Sequence, residues 1–349
     1  MSGSVQTVRG PLAAEALGVT MAHEHLLWDQ TCWWKGDPEE LSLREFIHQP
    51  ICMENLGQVY YHAHLHLDNI HQYSVELAIA EATLLKRAGG QSLVDVTSLG
   101  LGRDPMALLA ISEATGLNVV MGSGYYIASS HPPETRGWPA EKIADQIAQE
   151  FAEGVRHTGI RPGVIGEIGI SCLENTDEIR MLRAAAMAQR QTGAPLYIHP
   201  PIFEKKGLAI LDIVEGAGAE VSKVVLCHCD PTLDDEQYHA AIARRGAFVE
   251  FDQFGVEFVA TEGFFLPRDI DRIRAVRRQI ELGSLRSLLL SQDVSFKICL
   301  VKYGGWGYAH ILRDLMPFMK QEGITGDQLH TMLVDNPRRL LAFQRDAGI

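Results

Sequence analysis

Several features that mark large classes of protein are absent from this sequence. Across 349 residues no apolar run approaches the ~20 residues that a membrane-spanning helix needs. The opening residues lack the hydrophobic segment of a signal peptide. Six cysteines are too few for a disulfide framework, and Cys227 and Cys229 lie in a strand-like run where we expect reduced thiols. We therefore expect a cytoplasmic protein with no membrane partner.

Positive charge is scarce as well. The chain has 31 Lys and Arg against 44 Asp and Glu, which gives a formal net charge of −13. Nucleic acids are bound by clustered Lys and Arg, so this balance argues against nucleic acid as a partner. There is no G-x-x-x-x-G-K-[ST] phosphate loop and no G-x-S-x-G nucleophile elbow. These two enzyme classes are therefore disfavoured, and a homodimer is compatible with the sequence.

Short apolar segments alternate with segments of helical periodicity along the chain. Nearly continuous apolar runs are typical of parallel strands that are buried on both faces. Strands are predicted at Val19–Leu27, Gln91–Ser98, Asn118–Gly124, Gly163–Ile170, Ala194–Pro200, Lys223–Asp230, Gly246–Asp252 and Ser287–Val294. Helices are predicted between and after them, at Val75–Ala88, Asp104–Thr115, Pro139–His157, Glu178–Thr192, Gly207–Gly216, Asp234–Arg245, Asp269–Leu282 and Tyr308–Glu322.

Eight such units favour an α/β fold of the (β/α)8 TIM barrel type over a doubly wound sheet. We expect a single domain over residues 1–349, because no linker rich in Pro, Gly or Ser divides the chain. The connection at 29–73 is unusually long and carries several aromatic residues. Loops that follow barrel strands lie on the active-site face, so this insertion is predicted to be a lid or part of a subunit contact.

Metal-ligating residue types recur at the ends of the predicted strands. His23 and His25 end strand one, and residues two apart on a strand point to the same face. Four further residues of this kind lie on or end later strands: Glu167, His199, His228 and Asp293. One histidine at a strand end is more often structural, but this set can surround a single point in a barrel. Imidazole with carboxylate suits Zn, Mn, Co, Ni or Fe.

A second histidine cluster, HAHLH at 62–66, lies inside the insertion. Asn55–Asn69 is predicted to be an amphipathic helix, on which residues two apart do not share a face. A polar helix face is therefore the preferred interpretation of this cluster. Most other histidines are treated as structural or exposed, with the exception of His131, because the loop after strand three faces the site.

Ordered motifs across the chain resemble the phosphotriesterase family of the amidohydrolase superfamily. They are TVRGPLAAEALGVTMAHEHLLWD at Thr7–Asp29, GEIG at Gly166–Gly169, IHPP at Ile198–Pro201, CHCD at Cys227–Asp230, QDV at Gln292–Val294 and DNPRRLLAF at Asp335–Phe343. YYIASSHPPETR at Tyr125–Arg136 and KYGGWGYAHIL at Lys302–Leu312 are similar to the phosphotriesterase-related branch.

The resemblance implies an amidohydrolase barrel with two divalent metal ions, zinc foremost. It implies that His23, His25 and Asp293 hold the buried ion and that His199 and His228 hold the outer one. A carboxylate on strand four would bridge them. The best-known phosphotriesterases use a carboxylated lysine there, whereas this chain has Glu167. The site should therefore not depend on CO₂, and this difference weakens the transfer of organophosphate activity.

The expected reaction is hydrolysis by a hydroxide shared between the two metals. Asp293 would take the proton of the attacking water and pass it to the leaving group, although it could be a pure ligand. The resemblance implies a small acyl substrate, either an amide such as an N-acetyltaurine-like N-acyl amino acid or a carboxylic ester or lactone. A phosphotriester hydrolase is one alternative, and a non-catalytic metal-containing ligand-binding protein is a second.

Substrate contacts are predicted on the loops that follow the strands. An anionic substrate would need a cation, for which the candidates are Arg103, Arg136 and Lys302, each of which has a surface or ion-pair role as an equal alternative. Tyr126 and Phe254 could line the pocket, although loop aromatics are as often part of the packing. His131 is also a candidate.

Overall fold

Eight parallel strands form the centre of the fold. The computed structural model describes residues 3–261 and 264–342. The strands are β1 (Thr20–Glu24), β2 (Ser92–Asp95), β3 (Asn118–Met121), β4 (Ile165–Gly169), β5 (Leu196–His199), β6 (Val224–Leu226), β7 (Phe248–Phe251) and β8 (Leu288–Leu290). Each lies within a predicted strand and is shorter than predicted. The α/β barrel fold is therefore confirmed.

The strands form two parallel sheets, in the order β8-β7-β6-β5-β4 and β1-β2-β3. Backbone hydrogen bonds join β3 and β4 at one seam, where Gly163 N donates to Met121 O at 2.9 Å. At the other seam Asp293 N donates to His23 O at 3.3 Å. The lack of a side chain at Gly122 allows the backbones of β3 and β4 to approach each other at the first seam, since a Cβ atom there would lie 2.2 Å from Gly166 O.

Alternate residues of each strand belong to different apolar clusters. Val94 on β2 and Leu289 on β8 belong to the cluster that also contains Val5 of an N-terminal hairpin, Ser4–Thr7 with Gly10–Ala13. Their neighbours Leu93 and Leu290 belong to the larger cluster shared with the helices. Both strand faces are thus buried, which explains why the strands are continuous apolar runs.

A helix follows each of the first seven strands. These are α1 (Val75–Arg87), α2 (Pro105–Thr115), α3 (Ala140–Glu153), α4 (Thr176–Thr192), α5 (Gly207–Gly216), α6 (Glu236–Arg244) and α7 (Asp269–Glu281). Side chains of Ser74, Asp104, Asn175 and Asp235 accept hydrogen bonds from backbone N–H groups of the first turns of α1, α2, α4 and α6. Within the described residues no helix is both long and apolar enough to span a membrane.

The eighth predicted helix differs from a regular helix. It consists of a π-helical segment, Ile311–Leu315, followed by α8, Met316–Gln321. Pro317 explains this change, because it has no N–H to donate to the preceding turn. Two short helices end the described chain: α9 (Gly326–His330) and, after a second π-helical segment, α10 (Asn336–Leu341). Phe343, the last residue of the DNPRRLLAF motif, lies outside the described residues.

The insertion after β1 is anchored at its base and packed on the barrel. Trp28–Asp29 pairs antiparallel with His71–Gln72, and two short helices, Leu41–Ile47 and Leu56–Val59, lie between them. The predicted helix over Asn55–Asn69 is therefore wrong beyond its first turn.

Tertiary hydrogen bonds replace the helix: Leu67 N donates to Ile47 O at 3.0 Å, and Asn69 Nδ2 donates to Ala63 O at 2.9 Å. The three histidines of the HAHLH segment are also not a solvated polar face, since none of them is exposed. His66 is fully buried and packs on Phe46, with 4.9 Å between ring centroids.

Candidate metal centre

The carboxyl ends of the strands bring six side chains together: His23, His25, Glu167, His199, His228 and Asp293. Glu167 on β4 lies at their centre. Its Oε2 is 3.0 Å from His228 Nε2 and 3.3 Å from His199 Nδ1, and its Oε1 is 3.6 Å from His25 Nε2. One carboxylate thus lies within reach of imidazoles from both halves of the cluster.

The spacing of several of these atoms suits a shared cation better than direct hydrogen bonds. His25 Nε2 is 3.4 Å from Asp293 Oδ1, and His23 Nε2 is 3.8 Å from the same oxygen. Two ligands of one tetrahedral zinc ion, each at ~2.0–2.1 Å, lie about 3.3 Å apart. His23 Nε2 is buried and has no hydrogen-bond partner among the residues that the structure describes. A cation would satisfy this nitrogen, so the residues present fit a metal site.

The other ring nitrogens of three histidines are held by a second layer of polar groups. His23 Nδ1 is 3.0 Å from Glu250 Oε2, and His228 Nδ1 is 3.0 Å from Asp252 Oδ1. His25 Nδ1 lies 2.9 Å from Thr97 Oγ1. Such partners set the tautomer and the ring orientation of a ligating imidazole. These contacts leave the Nε2 atoms of His23, His25 and His228 directed at the centre.

The end of β8 is positioned by a carboxylate from β1. Glu24 Oε2 accepts a hydrogen bond from Val294 N at 3.0 Å, and its Oε1 accepts one from Gln292 N at 2.9 Å. Asp293 lies between them with φ 48°, and His228 also has a positive φ of 52°. Non-glycine residues rarely adopt this conformation, and it is concentrated at functional sites.

The carboxylates dominate the electrostatics of the cluster. Burial by itself lowers the pKa of His23, but Asp252 and Glu250 outweigh it and raise that pKa to about 10. Burial also opposes protonation of His228, yet Asp252 raises its pKa well above the usual value. For Glu167 burial acts to raise the pKa, and His199 and His228 bring it well below the usual range. The site therefore favours bound positive charge.

The predicted pocket residue Tyr126 lies beside the cluster. Its hydroxyl is 3.3 Å from His199 Nδ1 and accepts a hydrogen bond of 3.2 Å from Trp33 Nε1, which belongs to the insertion. His131 lies behind it, with Nε2 2.8 Å from Tyr126 O. Burial raises the pKa of Tyr126 well above 10, so its hydroxyl stays protonated. The contact between His131 Nε2 and the backbone oxygen of Tyr126 holds the loop that carries Tyr126.

The other predicted substrate contacts are placed differently. Arg103 is buried and makes two hydrogen bonds with the carboxylate of Glu150 on α3, at 2.6 and 2.7 Å. Its charge is neutralised there, so we do not retain it as a substrate clamp. Arg136 and Lys302 are exposed, and Phe254 is buried in the apolar core.

Sequence reasoning missed the second layer of the site. Glu250 lies inside the apolar strand β7, and Glu24 lies between the two histidines of β1. A charged residue inside a buried strand is unusual and needs a partner, and this signal could have identified both residues. Asp252 ends the seventh predicted strand, and its role as partner of His228 depends on the fold.

Comparisons with known proteins agree over the whole length of the chain. A sequence profile of the phosphotriesterase family matches residues 3–341. The human N-acetyltaurine hydrolase is 36% identical over 350 residues, which cover 99% of both chains. A crystal structure of a resiniferatoxin-binding protein from Rhodobacter sphaeroides has a TM-score of 0.94 and 41% identity, over 97% of this chain and 95% of that one.

A second solved structure, the phosphotriesterase homology protein from Escherichia coli with phosphate in its active site, has a TM-score of 0.75 and 25% identity. The match covers 93% of this chain and 99% of that one. The chain therefore belongs to the phosphotriesterase family and is a hydrolase.

Proposed function

We propose that the protein hydrolyses the amide bond of small N-acyl amino acids whose amine part carries an acidic group, of the N-acetyltaurine type. The observation that carries this proposal is the position of Glu167, within reach of imidazoles from β1, β5 and β6. That arrangement supports hydrolysis at a two-metal site. The substrate class is taken from the human relative, which matches this chain from end to end.

The proposed ligand sets follow the two halves of the cluster. His23, His25 and Asp293 would hold one divalent ion, His199 and His228 would hold the other, and Glu167 would bridge them. Zinc is the proposed metal, because imidazole and carboxylate ligands in this number are typical of it, although Mn, Co, Ni and Fe accept the same ligands.

When bound, the two cations would supply a water of lowered pKa and polarise the carbonyl of the substrate. Asp293 would accept the proton of the attacking water, since its carboxylate lies 3.4 Å from His25 Nε2 and 3.8 Å from His23 Nε2, two ring nitrogens that are directed at the centre of the cluster. It then donates this proton to the leaving nitrogen, so that the amine departs neutral. Tyr126 remains protonated and can donate a hydrogen bond beside His199.

The proposal is tested by metal reconstitution and a substrate panel. The purified protein is stripped of metal, reloaded with zinc, and assayed on N-acetyltaurine, N-acetyl amino acids, a lactone, a carboxylic ester and a phosphotriester. We expect activity to return with about two equivalents of zinc and to be highest on the N-acetyl substrates. Turnover confined to the lactone or ester would refute the amide assignment.

Two alternative functions are decided by the same panel. Turnover of the phosphotriester above that of every acyl substrate would make the protein an organophosphate hydrolase. A metal-loaded protein that is inert on the whole panel would instead be a ligand-binding protein, as the resiniferatoxin-binding protein from Rhodobacter sphaeroides is described to be. The presence of both Glu167 and Asp293 argues for catalysis over simple binding.

We also propose a cytoplasmic location and a homodimer. All six cysteines are free, which supports a reducing compartment. Phe265 and Trp306 are exposed on loops after β7 and β8, and exposed apolar side chains on one face are typical of association surfaces. Light scattering on the purified protein would measure its molar mass and so determine whether it is a dimer.

A further inference from the structure

Aromatic rings from three loops form a wall on the active-site face. Phe296 follows Asp293 after β8 and lies 5.3 Å from Phe258 of the loop after β7, measured between ring centroids. Phe258 in turn lies 6.3 Å from Tyr60 of the insertion. The imidazole of His64 completes this wall, edge-on to Phe296 at 4.8 Å. The insertion therefore contributes the polar groups of Tyr60 and His64 to a wall whose other two rings, Phe258 and Phe296, are buried.

The imidazole of His64 makes no hydrogen bond to any residue that the structure describes. The side chain is half-buried, and burial lowers its pKa to about 4 despite the opposing charge of Asp293. It is therefore neutral at physiological pH, with one N–H donor and one acceptor nitrogen. A polar group taken partly out of water without a partner costs free energy, which a bound ligand can recover.

The proposed reaction determines which part of the substrate comes closest to His64. Asp293 donates its proton to the leaving nitrogen, so the amine part of the substrate must lie on the Asp293 side of the centre. Phe296 is three residues from Asp293, and Asp293 is the charged group that acts on His64. The acyl part belongs on the other side, near His199 and Tyr126. The acidic group of the amine therefore extends along the aromatic wall.

We infer that His64 is a specificity-determining residue, whose imidazole N–H donates a hydrogen bond to the sulfonate or carboxylate of the leaving amine. This inference rests on the proposed amide hydrolysis. Of the three cationic candidates from the sequence, Arg103 is already paired with Glu150, and Arg136 and Lys302 are exposed. A neutral donor in the wall is therefore proposed to recognise the acid. The apolar rings around it favour the carbon chain between nitrogen and acid.

The test compares two substrates that differ only in the acidic group. N-acetyltaurine carries a sulfonate, and N-propylacetamide has a methyl group in its place. For His64→Leu we expect KM for N-acetyltaurine to rise at least tenfold with kcat within twofold, because hydrogen bonds to charged groups are among the strongest. His64→Gln keeps an N–H donor and should recover most of the loss. The kcat/KM for N-propylacetamide should change less than twofold in both variants.

His62→Leu is the matched control, since His62 belongs to the same HAHLH segment but packs near Phe46 at 6.0 Å. It should leave both substrates unaffected. An equal loss on both substrates in His64→Leu, or a fall in kcat at constant KM, would overturn the inference. If the zinc-loaded wild type hydrolyses no amide, the proposed function is wrong. Calorimetric titration of wild type and His64→Leu with taurine then tests whether His64 binds the acidic group. Tenfold weaker binding by His64→Leu would support the inference, and equal affinities would overturn it.

Discussion

His23 on β1, His25 directly after β1 and His228 after β6 each have a partner for the ring nitrogen that points away from the centre. For His23 and His228 that partner is a buried carboxylate, and for His25 it is a threonine hydroxyl. A neutral hydroxyl polarises an imidazole less than a carboxylate does, so the ring of His25 is the most weakly polarised of the three. The two carboxylate-backed imidazoles are expected to contribute most to metal affinity.

Asp293→Asn tests the proton transfer that we assign to Asp293. With metal content held equal to wild type, kcat is expected to fall by about 10²- to 10⁴-fold, because the amide cannot accept the proton of the attacking water. The measurement is a hydrolysis assay with metal analysis of the same sample. Near-wild-type turnover at full metal content would show that Asp293 is a ligand without a role in proton transfer.

Asp252→Asn tests the second layer. The substitution removes the charge that faces His228 Nδ1 at 3.0 Å, and zinc affinity is expected to fall about 10- to 100-fold. Competition with a chromophoric chelator measures this change. Glu39→Gln is a suitable control, because Glu39 is exposed in the insertion. Unchanged affinity in Asp252→Asn would exclude the positioning role.

At the scale of elements, helix α7 is tied to the end of β6 by one buried arginine. Arg272 Nε donates to Asp230 Oδ1 at 2.8 Å, and its Nη1 donates to Asp269 Oδ1 at 3.1 Å. Asp230 also accepts a hydrogen bond from the backbone N of Asp252 at 3.1 Å. The contacts run from α7 through Asp230 to the residue that orients His228, so the helix supports the metal centre.

Arg272→Met is expected to destabilise the fold by about 3–5 kcal/mol, because it leaves Asp230 buried without its ion-pair partner. It also removes one of the two side chains that hold Asp269, the other being His310 at 2.7 Å. Arg277→Met on the same helix is the matched control. Arg277 pairs with Glu281 at the surface, and exposed pairs contribute ~0–1 kcal/mol. Urea denaturation of the metal-loaded proteins measures both. Equal losses in the two variants would contradict the role given to Arg272.

At the scale of the whole molecule, buried neutral histidines make stability depend on pH. Burial lowers the pKa of His64, His66 and His239 to about 4 in the folded protein, against an ordinary value of 6.5. Above pH 6.5 these groups are neutral in both states and have no effect. As pH falls from 6.5 to 4, these histidines bind protons in the unfolded chain but not in the folded protein, so the free energy of unfolding decreases across that window.

His66→Leu should remove one of these contributions. His66 is fully buried, and neither ring nitrogen has a hydrogen-bond partner within the described part of the chain. At pH 5 its burial costs about 2 kcal/mol relative to pH 7. The variant is expected to lose less stability than wild type between pH 7 and pH 5, as measured by denaturant titration at each pH. His330→Leu, at an exposed position, should behave like wild type. An unchanged pH dependence in His66→Leu would show that the imidazole is protonated in the folded state.

The eight strands were predictable because apolar periodicity is a local property, and each strand lies inside its predicted segment. The insertion was not, because Leu67 and Ile47 are tied by a tertiary hydrogen bond that no local pattern encodes. The same reason explains Arg103, whose partner Glu150 is 47 residues away and depends on how α3 packs on the barrel.

The sequence by itself determined the barrel and the residue types at the strand ends, because two-residue alternation and the spacing of βα units follow from backbone geometry. Only the tertiary structure decided which groups hold the far side of each imidazole. His23 and Glu250 are 227 residues apart, and they meet only because the sheets curve around a common centre. It likewise placed His64 of the insertion edge-on to Phe296, which lies three residues after Asp293.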